Sequence, residues 1–201
     1  MSSLLLAPQK GPLATGGQRQ AGFVALSELR KPWIKDFQVL RGRTIPVART
    51  SLTLADRLGS IKVRWDIGRM SYRVLPGLYA VGRPDEASEV LVTANYKLSF
   101  DALRSSLGAL SAWILVLDTQ GVNVWCAAGK NTFSTRELVN RMKTVNLTKV
   151  VDHRRLILPQ LGAPGVAAHE VKKQTGFVVE YGPVRASDLP EYLKTHRATS
   201  E

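Results

Sequence analysis

Short apolar runs alternate with helical patterns in the second half of the chain, and this alternation restricts the fold more than any other feature. Val90–Ala94 and residues 112–118 have the length and the large or β-branched apolar composition of buried strands. Residues 150–151, 156–158 and 177–181 are further strand candidates. Because helical patterns separate these runs, they indicate βαβ units. We therefore predict an α/β fold with a mostly parallel sheet and helices on both of its faces.

Helix-start signals and apolar spacings place four helices along the chain. Ser99 is a candidate N-cap, and Ser134 and Glu137 have the spacing of a capping box. Gly165 opens a helical pattern that runs to residue 173. An amphipathic helix is predicted over 54–73. Two apolar stripes at helical spacing support these assignments, and they consist of Leu54, Leu58, Ile61 and Trp65, and of Leu138, Met142 and Val145.

The positive charge of the chain is concentrated before its strand-rich part. Residues 1–75 hold 13 of the 28 basic and 4 of the 16 acidic residues, so they carry +9 of the net charge of +12. We expect a variable, basic and partly disordered extension over 1–53, a domain over 54–195 and a polar tail over 196–201. The charge suits a solvated extension or an anionic membrane surface. We expect no nucleic-acid partner, because no aromatic-interleaved basic strand or recognition helix accompanies the charge.

Several function classes are disfavoured by motifs that the sequence lacks. It has no P-loop and no dinucleotide-binding glycine motif, which argues against a nucleotide cofactor. Its acids show no paired arrangement that would suggest hydrolysis. No apolar run approaches the roughly 20 residues that span a bilayer, and the first eight residues do not resemble a secretion signal. Together with the presence of one cysteine, these features lead us to expect a reducing, cytoplasmic setting.

That cysteine, Cys126, lies where a strand pattern gives way to a helical one. Alone it can form no internal disulfide, structural zinc site or iron–sulfur cluster. It is either a small buried apolar residue or a single thiolate that acts as nucleophile or metal ligand, with His153 as the candidate base for a nucleophile. A position near a helix start, with Lys130 close by, favours the thiolate. The small residues at 127–129 leave room for a broad planar partner.

The segment around the cysteine resembles the cap-helix signature of the mercury-methylating corrinoid proteins, the HgcA family. The similarity covers about residues 56–193, and its blocks are 68–74, 76–80, 91–101, 112–130, 156–171 and 181–185. It implies a Rossmann-like corrinoid-binding domain with a cysteine-bearing cap helix over the corrinoid site. In that family the corrinoid is base-off, which means that its own base has left the cobalt. The resemblance assigns the vacated lower axial position to Cys126.

The resemblance also implies which residues hold the corrinoid. The cap helix beneath the ring corresponds to Asn123, Val124, Trp125, Cys126, Ala127, Ala128, Gly129 and Lys130. Ligands of parallel sheets bind beyond the carboxyl ends of the strands. By that position, we expect the corrinoid tail to be held by Thr93, Asn95 and the loops Gln160–Gly165 and Gly182–Arg185, within which the candidate binding residues are Gln160, Gly162, Ala163, Gly165, Gly182 and Arg185.

The implied activity is the transfer of a methyl group from corrinoid cobalt to inorganic Hg(II), which forms methylmercury. A thiolate is a strong donor trans to the methyl group and would help it leave with its electron pair. The implied partners are a ferredoxin-like iron–sulfur protein as electron donor and a methyl donor protein or methyl-folate. The family's membrane-embedded domain is missing from these 201 residues. We therefore expect the cytoplasmic domain of a protein that is anchored in the cell membrane.

Two alternatives stay open at this point. One is the methyl-carrying large subunit of the corrinoid iron–sulfur protein of the acetyl-CoA pathway, whose corrinoid domain is similar. That subunit also has a cysteine-rich cluster module and a barrel domain, for which this chain has neither the cysteines nor the length. The other alternative is a non-catalytic module that binds a partner or a membrane through its basic extension. In that case Cys126 would be inert.

Overall fold

Seven strands form one sheet in the computed structural model, which describes residues 31–65 and 72–195. The strands are β1 (Ile34–Leu40), β2 (Arg43–Ala48), β3 (Gly77–Val81), β4 (Val90–Ala94), β5 (Ala112–Leu117), β6 (Arg155–Leu158) and β7 (Val178–Tyr181). Across the sheet their order is β1-β2-β3-β5-β4-β6-β7. In the same ranges the α-helices are α1 (Leu54–Arg64), α2 (Lys97–Ser106), α3 (Val124–Gly129), α4 (Thr135–Thr144), α5 (Ala168–Thr175) and α6 (Leu189–Thr195).

The sheet is mostly parallel and is covered on both faces, which confirms the predicted fold class. The pairs β2–β3, β4–β5, β4–β6 and β6–β7 run parallel, whereas β1–β2 and β3–β5 run antiparallel. Successive side chains of a strand point to opposite faces. In β5, Trp113 and Leu115 pack into the core with α4 and α5, and Ile114 and Val116 pack into the core with α2 and α6. The arrangement is consistent with a Rossmann-like fold.

Most of the predicted strands are confirmed, and one is wrong. β4 has the predicted bounds, and β5, β6 and β7 differ from prediction by one residue at one end. Val150 and Val151 form no strand and instead follow the 3₁₀ helix Leu147–Lys149. Both valines are buried in the core nonetheless. Their apolar, β-branched side chains pack in the core. The sequence pattern alone does not distinguish such a buried non-strand segment from a buried strand.

Two predicted helix starts are displaced in the structure. α2 begins at Lys97 after the N-cap Tyr96, so Ser99 lies inside the helix. α5 begins at Ala168, because Gln160–Gly165 forms a separate 3₁₀ helix that contains Pro164.

The capping box predicted at the start of α4 is half formed. The Ser134 side chain accepts a hydrogen bond from the backbone N–H of Glu137, as expected for an N-cap. The Glu137 carboxylate does not return the bond and instead accepts from the backbone N–H of Asp118 at 2.9 Å and from Arg141. It therefore ties α4 to the end of β5.

A hairpin made of β1 and β2 lies inside residues 1–53, for which a variable, basic and partly disordered extension was predicted. Over residues 33–48 the structure differs from that expectation, because the buried side chains of Trp33, Ile45 and Val47 belong to the core. Arg41 and Gly42 connect the strands with φ angles of 48° and 75°, which suit a tight hairpin turn. Strand β3 was also missed. Residues 1–30 and 196–201, and the part of the predicted first helix at 66–71, lie outside the described residues.

Helix α1 is confirmed over Leu54–Arg64, and it is attached to α2 by buried charges. Lys97 lies 2.8 Å from one Asp56 oxygen and 2.5 Å from Asp101. Arg104 lies 2.7 Å from the other Asp56 oxygen and also 2.7 Å from Asp101. All four side chains are buried, so each charge is balanced by its neighbours. Within the described ranges, no helix is long and apolar enough to cross a membrane.

The ion cluster sets the titration of the groups in and beside it. Burial acts to raise the pKa of Asp56, but hydrogen bonds from Lys97, from the Thr53 backbone and from Arg104 outweigh it and hold that pKa well below its ordinary value. Burial, together with the charges of Asp101 and Asp56, raises the pKa of Tyr72 to about 12. The Tyr72 hydroxyl therefore stays protonated over the physiological pH range.

Candidate functional site

Helix α3, in the segment that was expected to form a cap helix, follows β5 after a short loop. The Asn123 side chain caps it by accepting a hydrogen bond of 2.9 Å from the backbone N–H of Cys126. Val124, Ala127 and Ala128 are buried against the domain. Trp125 is 68% exposed and Cys126 is partly exposed, and Gly129 and Lys130 are exposed as well. The predicted thiol is therefore accessible at the first turn of a helix.

Gly162 and Gly165 lie behind α3, where the 3₁₀ helix Gln160–Gly165 packs against it. A Cβ atom added at Gly165 would collide with the carbonyl oxygen of Phe133 and would lie 3.1 Å from Cα of Ala128. A Cβ added at Gly162 would come within 2.5 Å of the Phe133 ring. Both glycines allow a close backbone approach that a larger residue would prevent. The structure thus packs Gly165 against α3 itself and Gly162 against Phe133, just after the helix.

Asn95 fixes the loop that leads from β5 into α3. Its buried side-chain oxygen accepts hydrogen bonds from the backbone N–H of Thr119 at 3.1 Å, from the Thr119 hydroxyl at 2.9 Å and from the N–H of Gly121 at 2.9 Å. Its amide nitrogen donates to Asp118 at 3.2 Å. Through these bonds, a residue directly after β4 determines where the helix begins.

A cavity of about 490 Å³ opens beside α3, beyond the carboxyl ends of β4, β6 and β7. Its walls are mostly apolar. The predicted site residues that line it are Thr93, Asn123, Val124, Trp125, Gly182 and Arg185. An added Cβ at Gly182 would lie 3.0 Å from the Ile157 side chain. Glycine at this position therefore allows the backbone after β7 to lie close to Ile157 of β6. This is the place at which parallel α/β sheets bind their ligands.

The other predicted residues do not line this cavity. Cys126, Gly129 and Lys130 belong to the outward side of α3, and Asn95 lies beneath its preceding loop. Gln160 and Ala163 are in the neighbouring 3₁₀ helix. The structure therefore separates the predicted residues into a cavity wall, an exposed helix surface and a supporting layer. Ala127 and Ala128, with Gly162 and Gly165, belong to the supporting layer.

Sequence reasoning missed the wall of the cavity that α2 provides. The α2 contribution comes from Ser99, Ala102 and Leu103, whose spacing is that of one helix face. This spacing could have indicated a shared face of α2 from the sequence. The same spacing is also expected for residues that face the hydrophobic core, so it would not have identified a cavity wall. Leu161, Pro183 and Val184 line the cavity within the two predicted loops, and the remaining missed lining residues are Leu91, Val92, Ile157, Leu158, Pro159, Ala186 and Leu189.

A family model described as the CO dehydrogenase/acetyl-CoA synthase delta subunit matches residues 61–193. The chain belongs to this family. The match covers every element from within α1 almost to the end of α6, and it includes the cap-helix segment, both glycines behind it and all of the cavity wall. It therefore describes the domain that carries the site.

Curated relatives of this family member agree with that assignment. The chain is 33% identical to the acetyl-CoA decarbonylase/synthase complex subunit gamma of Methanopyrus kandleri over 128 residues, which are 63% of this chain and 27% of the relative. It is 29% identical to the corrinoid/iron-sulfur protein large subunit of Moorella thermoacetica over 129 residues, 63% of this chain and 28% of the relative. The chain thus spans about a quarter of the length of these relatives.

These matches favour the acetyl-CoA pathway alternative over the mercury hypothesis. The similarity to a corrinoid protein is confirmed, whereas membership of the mercury-methylating HgcA proteins is not confirmed. The Methanopyrus kandleri relative is named as a subunit of a complex, which indicates that the family includes proteins that work with protein partners. Their names identify the first of the two open alternatives as the better supported one.

Proposed function

We propose that this chain is the corrinoid-binding domain of a methyl-transfer protein. One observation carries the proposal: α3, with an accessible thiol, stands beside a cavity at the carboxyl ends of the strands. The similarity to a corrinoid/iron-sulfur protein large subunit supports the choice of cofactor. A bound corrinoid would supply a cobalt that accepts, carries and releases a methyl group.

The residues present fit such a group. The outward side of α3 combines Trp125, the partly exposed Cys126 and a glycine at which even an added Cβ meets open space. A flat macrocycle could therefore lie on this helix without steric obstruction. The mostly apolar cavity beside it suits the corrinoid tail, and Thr93 and Arg185, which are both lining residues, would serve its polar groups.

Cys126 would act as the lower axial ligand of a base-off corrinoid. Its backbone N–H donates to the Asn123 cap, so the backbone that carries the thiol is held in place before the cofactor binds. A thiolate at this position would be a strong electron donor to the corrinoid cobalt, which would favour release of a carried methyl group as a carbanion equivalent to a soft acceptor such as Hg(II). Asn95 would hold the start of α3 in place through the loop that it binds.

The methyl acceptor has two candidates. The family assignment supports a protein metal centre of the acetyl-CoA pathway type as acceptor. Inorganic Hg(II) is the second candidate. The cysteine on α3 favours it, because a thiolate donor to cobalt would promote release of the methyl group as a carbanion, which a soft cation accepts well. Either activity would need an iron–sulfur electron donor and a methyl donor. We further propose that the chain acts as a cytoplasmic domain of a longer protein held at the cell membrane.

The first test is the visible spectrum of the purified chain after reconstitution with cobalamin. We expect a bound corrinoid whose axial-ligand bands change in Cys126→Ala and change differently in Cys126→His. Val39→Ala is the control, because this side chain is 69% exposed on the edge strand β1 and belongs to no part of the proposed site. Absence of corrinoid bands from the wild-type protein would refute the cofactor. Identical spectra for the wild type and Cys126→Ala would refute the ligand.

The second test separates the acceptors. The reconstituted chain, methylated on its cofactor, is incubated with Hg(II), and methylmercury is measured with the wild type and Cys126→Ala. Production that depends on Cys126 would support mercury as acceptor. A chain that binds the corrinoid but forms no more methylmercury than free methylcobalamin would exclude that candidate.

A further inference from the structure

Helix α1 is oriented opposite to the usual arrangement of an amphipathic helix. Val63 is buried in the core, but the other four large apolar residues, counting the C-cap Trp65, face solvent, with exposed fractions of 79% for Leu54, 60% for Leu58, 53% for Ile61 and 79% for Trp65. At about 100° per residue, they fall within an arc of about 60° on the helix surface. Large apolar side chains grouped in this way mark an interaction site.

The polar side of α1 is turned inward by the buried ion cluster. Asp56, the only acid of Leu54–Arg64, is held by Lys97 and Arg104 of α2. Beside it, Gly59 lies against Tyr72, whose ring leaves no room for an added Cβ. The exposed orientation of the stripe is therefore fixed by strong contacts on the opposite side of the helix.

The charges beside the stripe are positive. Arg57 and Lys62 are exposed and lie on opposite sides of it, at about 60–80° from its centre at helical geometry. A second copy of this helix would bring like charges together in a symmetric interface. Residues 1–30 are a poor occupant for the same reason, because they contain three basic residues and one acidic residue. The stripe thus fits an anionic partner.

We propose that the outward face of α1 docks onto an anionic lipid surface. An apolar face that contains tryptophan, with cations on both sides and no exposed acid within the helix, is the pattern of helices that lie in the membrane interface. Cations beside the stripe would attract acidic headgroups. This inference does not depend on the proposed corrinoid function.

Docking by α1 leaves the candidate site accessible. α2 contacts α1 through Lys97 and Arg104, and it lines the cavity through Ser99, Ala102 and Leu103. These are different faces of the same helix. Membrane binding and corrinoid binding should therefore be separable by substitution.

The test is sedimentation of the full chain with vesicles of phosphatidylcholine and phosphatidylglycerol, compared with phosphatidylcholine alone. We expect binding to the anionic vesicles that falls at least tenfold in the double variant Leu58→Gln/Ile61→Gln. The matched control is Val39→Gln/Val178→Gln, which removes two exposed valines, 69% and 41% exposed, on the two edge strands. Neither variant changes the net charge, so equal losses in both, or no loss in the first, would overturn the proposal.

The same proteins test how deeply Trp65 enters the lipid and whether a second copy of the chain covers the apolar stripe of α1 instead. Lipids brominated in the acyl chain should quench tryptophan fluorescence of the wild type, and the quenching should fall strongly in Trp65→Phe. Quenching that is unchanged in Trp65→Phe would overturn the proposal. A dimer that dissociates in Leu58→Gln/Ile61→Gln would identify a second copy as the occupant and would likewise refute lipid docking. Cobalamin binding should be equal in all variants, which separates this outcome from any failure of the corrinoid proposal.

Discussion

Replacing Gly165 by alanine tests whether this glycine supports the cap helix or contacts a ligand. The added methyl group would collide with the carbonyl oxygen of Phe133 and would press on Cα of Ala128 at 3.1 Å. Both neighbours are backbone atoms, so neither can rotate away. Either the 3₁₀ helix Gln160–Gly165 or α3 must move.

The expected cost follows from this geometry. Overpacking a well-packed site costs about 1–3 kcal/mol, and the larger value is expected here because backbone must shift. In a domain of this size, about 3 kcal/mol lowers the melting temperature by about 6–12 °C. Gly129→Ala is the matched control, since its methyl group meets open space at the end of α3. Alanine favours helix over glycine, so this control should be neutral or slightly stabilising.

Thermal and urea unfolding of both variants, followed by circular dichroism, measure the difference. Cobalamin titration of the same samples reports the effect on the site. We expect Gly165→Ala to lose stability in the absence of any cofactor and then to bind cobalamin more weakly because α3 is displaced. A Gly165→Ala protein as stable as the wild type, with weaker cobalamin binding, would refute the packing argument and would show direct ligand contact.

Further substitutions test the support of α3, the ion cluster and the exposed helix surface. Asn95→Ala leaves the buried N–H groups of Thr119 and Gly121 without an acceptor, which should cost about 2–5 kcal/mol in urea unfolding; a loss below 1 kcal/mol would contradict this. Because the folded-state pKa of Asp56 lies below its ordinary value of 3.8, the contribution of Asp56 to stability is complete above that pH and is lost as the pH falls. Asp56→Asn should therefore be about 3 kcal/mol less stable than the wild type at pH 7, and the difference should shrink at pH 3; an equal difference at both pH values would refute the assignment. Trp125→Ala should weaken cobalamin binding in a spectroscopic titration and change the melting temperature by no more than about 2 °C, because the ring is 68% exposed; unchanged cobalamin affinity would remove Trp125 from the proposed site.

The strands and the cap-helix segment could be predicted from the sequence because their signals are local. β4 is a short run rich in apolar and β-branched residues, and its bounds equal the prediction. The Asn123 cap and the small residues after Cys126 likewise follow from neighbouring positions in the chain. The β1–β2 hairpin was missed because its outward residues include Phe37 and Val39, so it lacks a clear alternation of apolar and polar positions.

The roles of individual site residues depend on contacts between distant parts of the chain. Asn95 was a sensible ligand candidate at a strand end, yet its side chain is used by Thr119 and Gly121, more than 20 positions away. Gly165 likewise looked like a loop glycine and instead accommodates Phe133. No pattern along the sequence indicates which polar groups at a strand end face a ligand and which face a neighbouring loop.

By itself, the sequence determined the class of fold, the helical segment that carries Cys126 and the edge of the sheet where a ligand would lie. These depend on apolar periodicity and on the fixed direction of parallel strands, which are properties of neighbouring residues. Only the tertiary structure decided that α1 turns its apolar stripe outward. A hydrophobic pattern indicates a face but not its partner, and here buried ion pairs with α2 hold the opposite face of the helix against the domain.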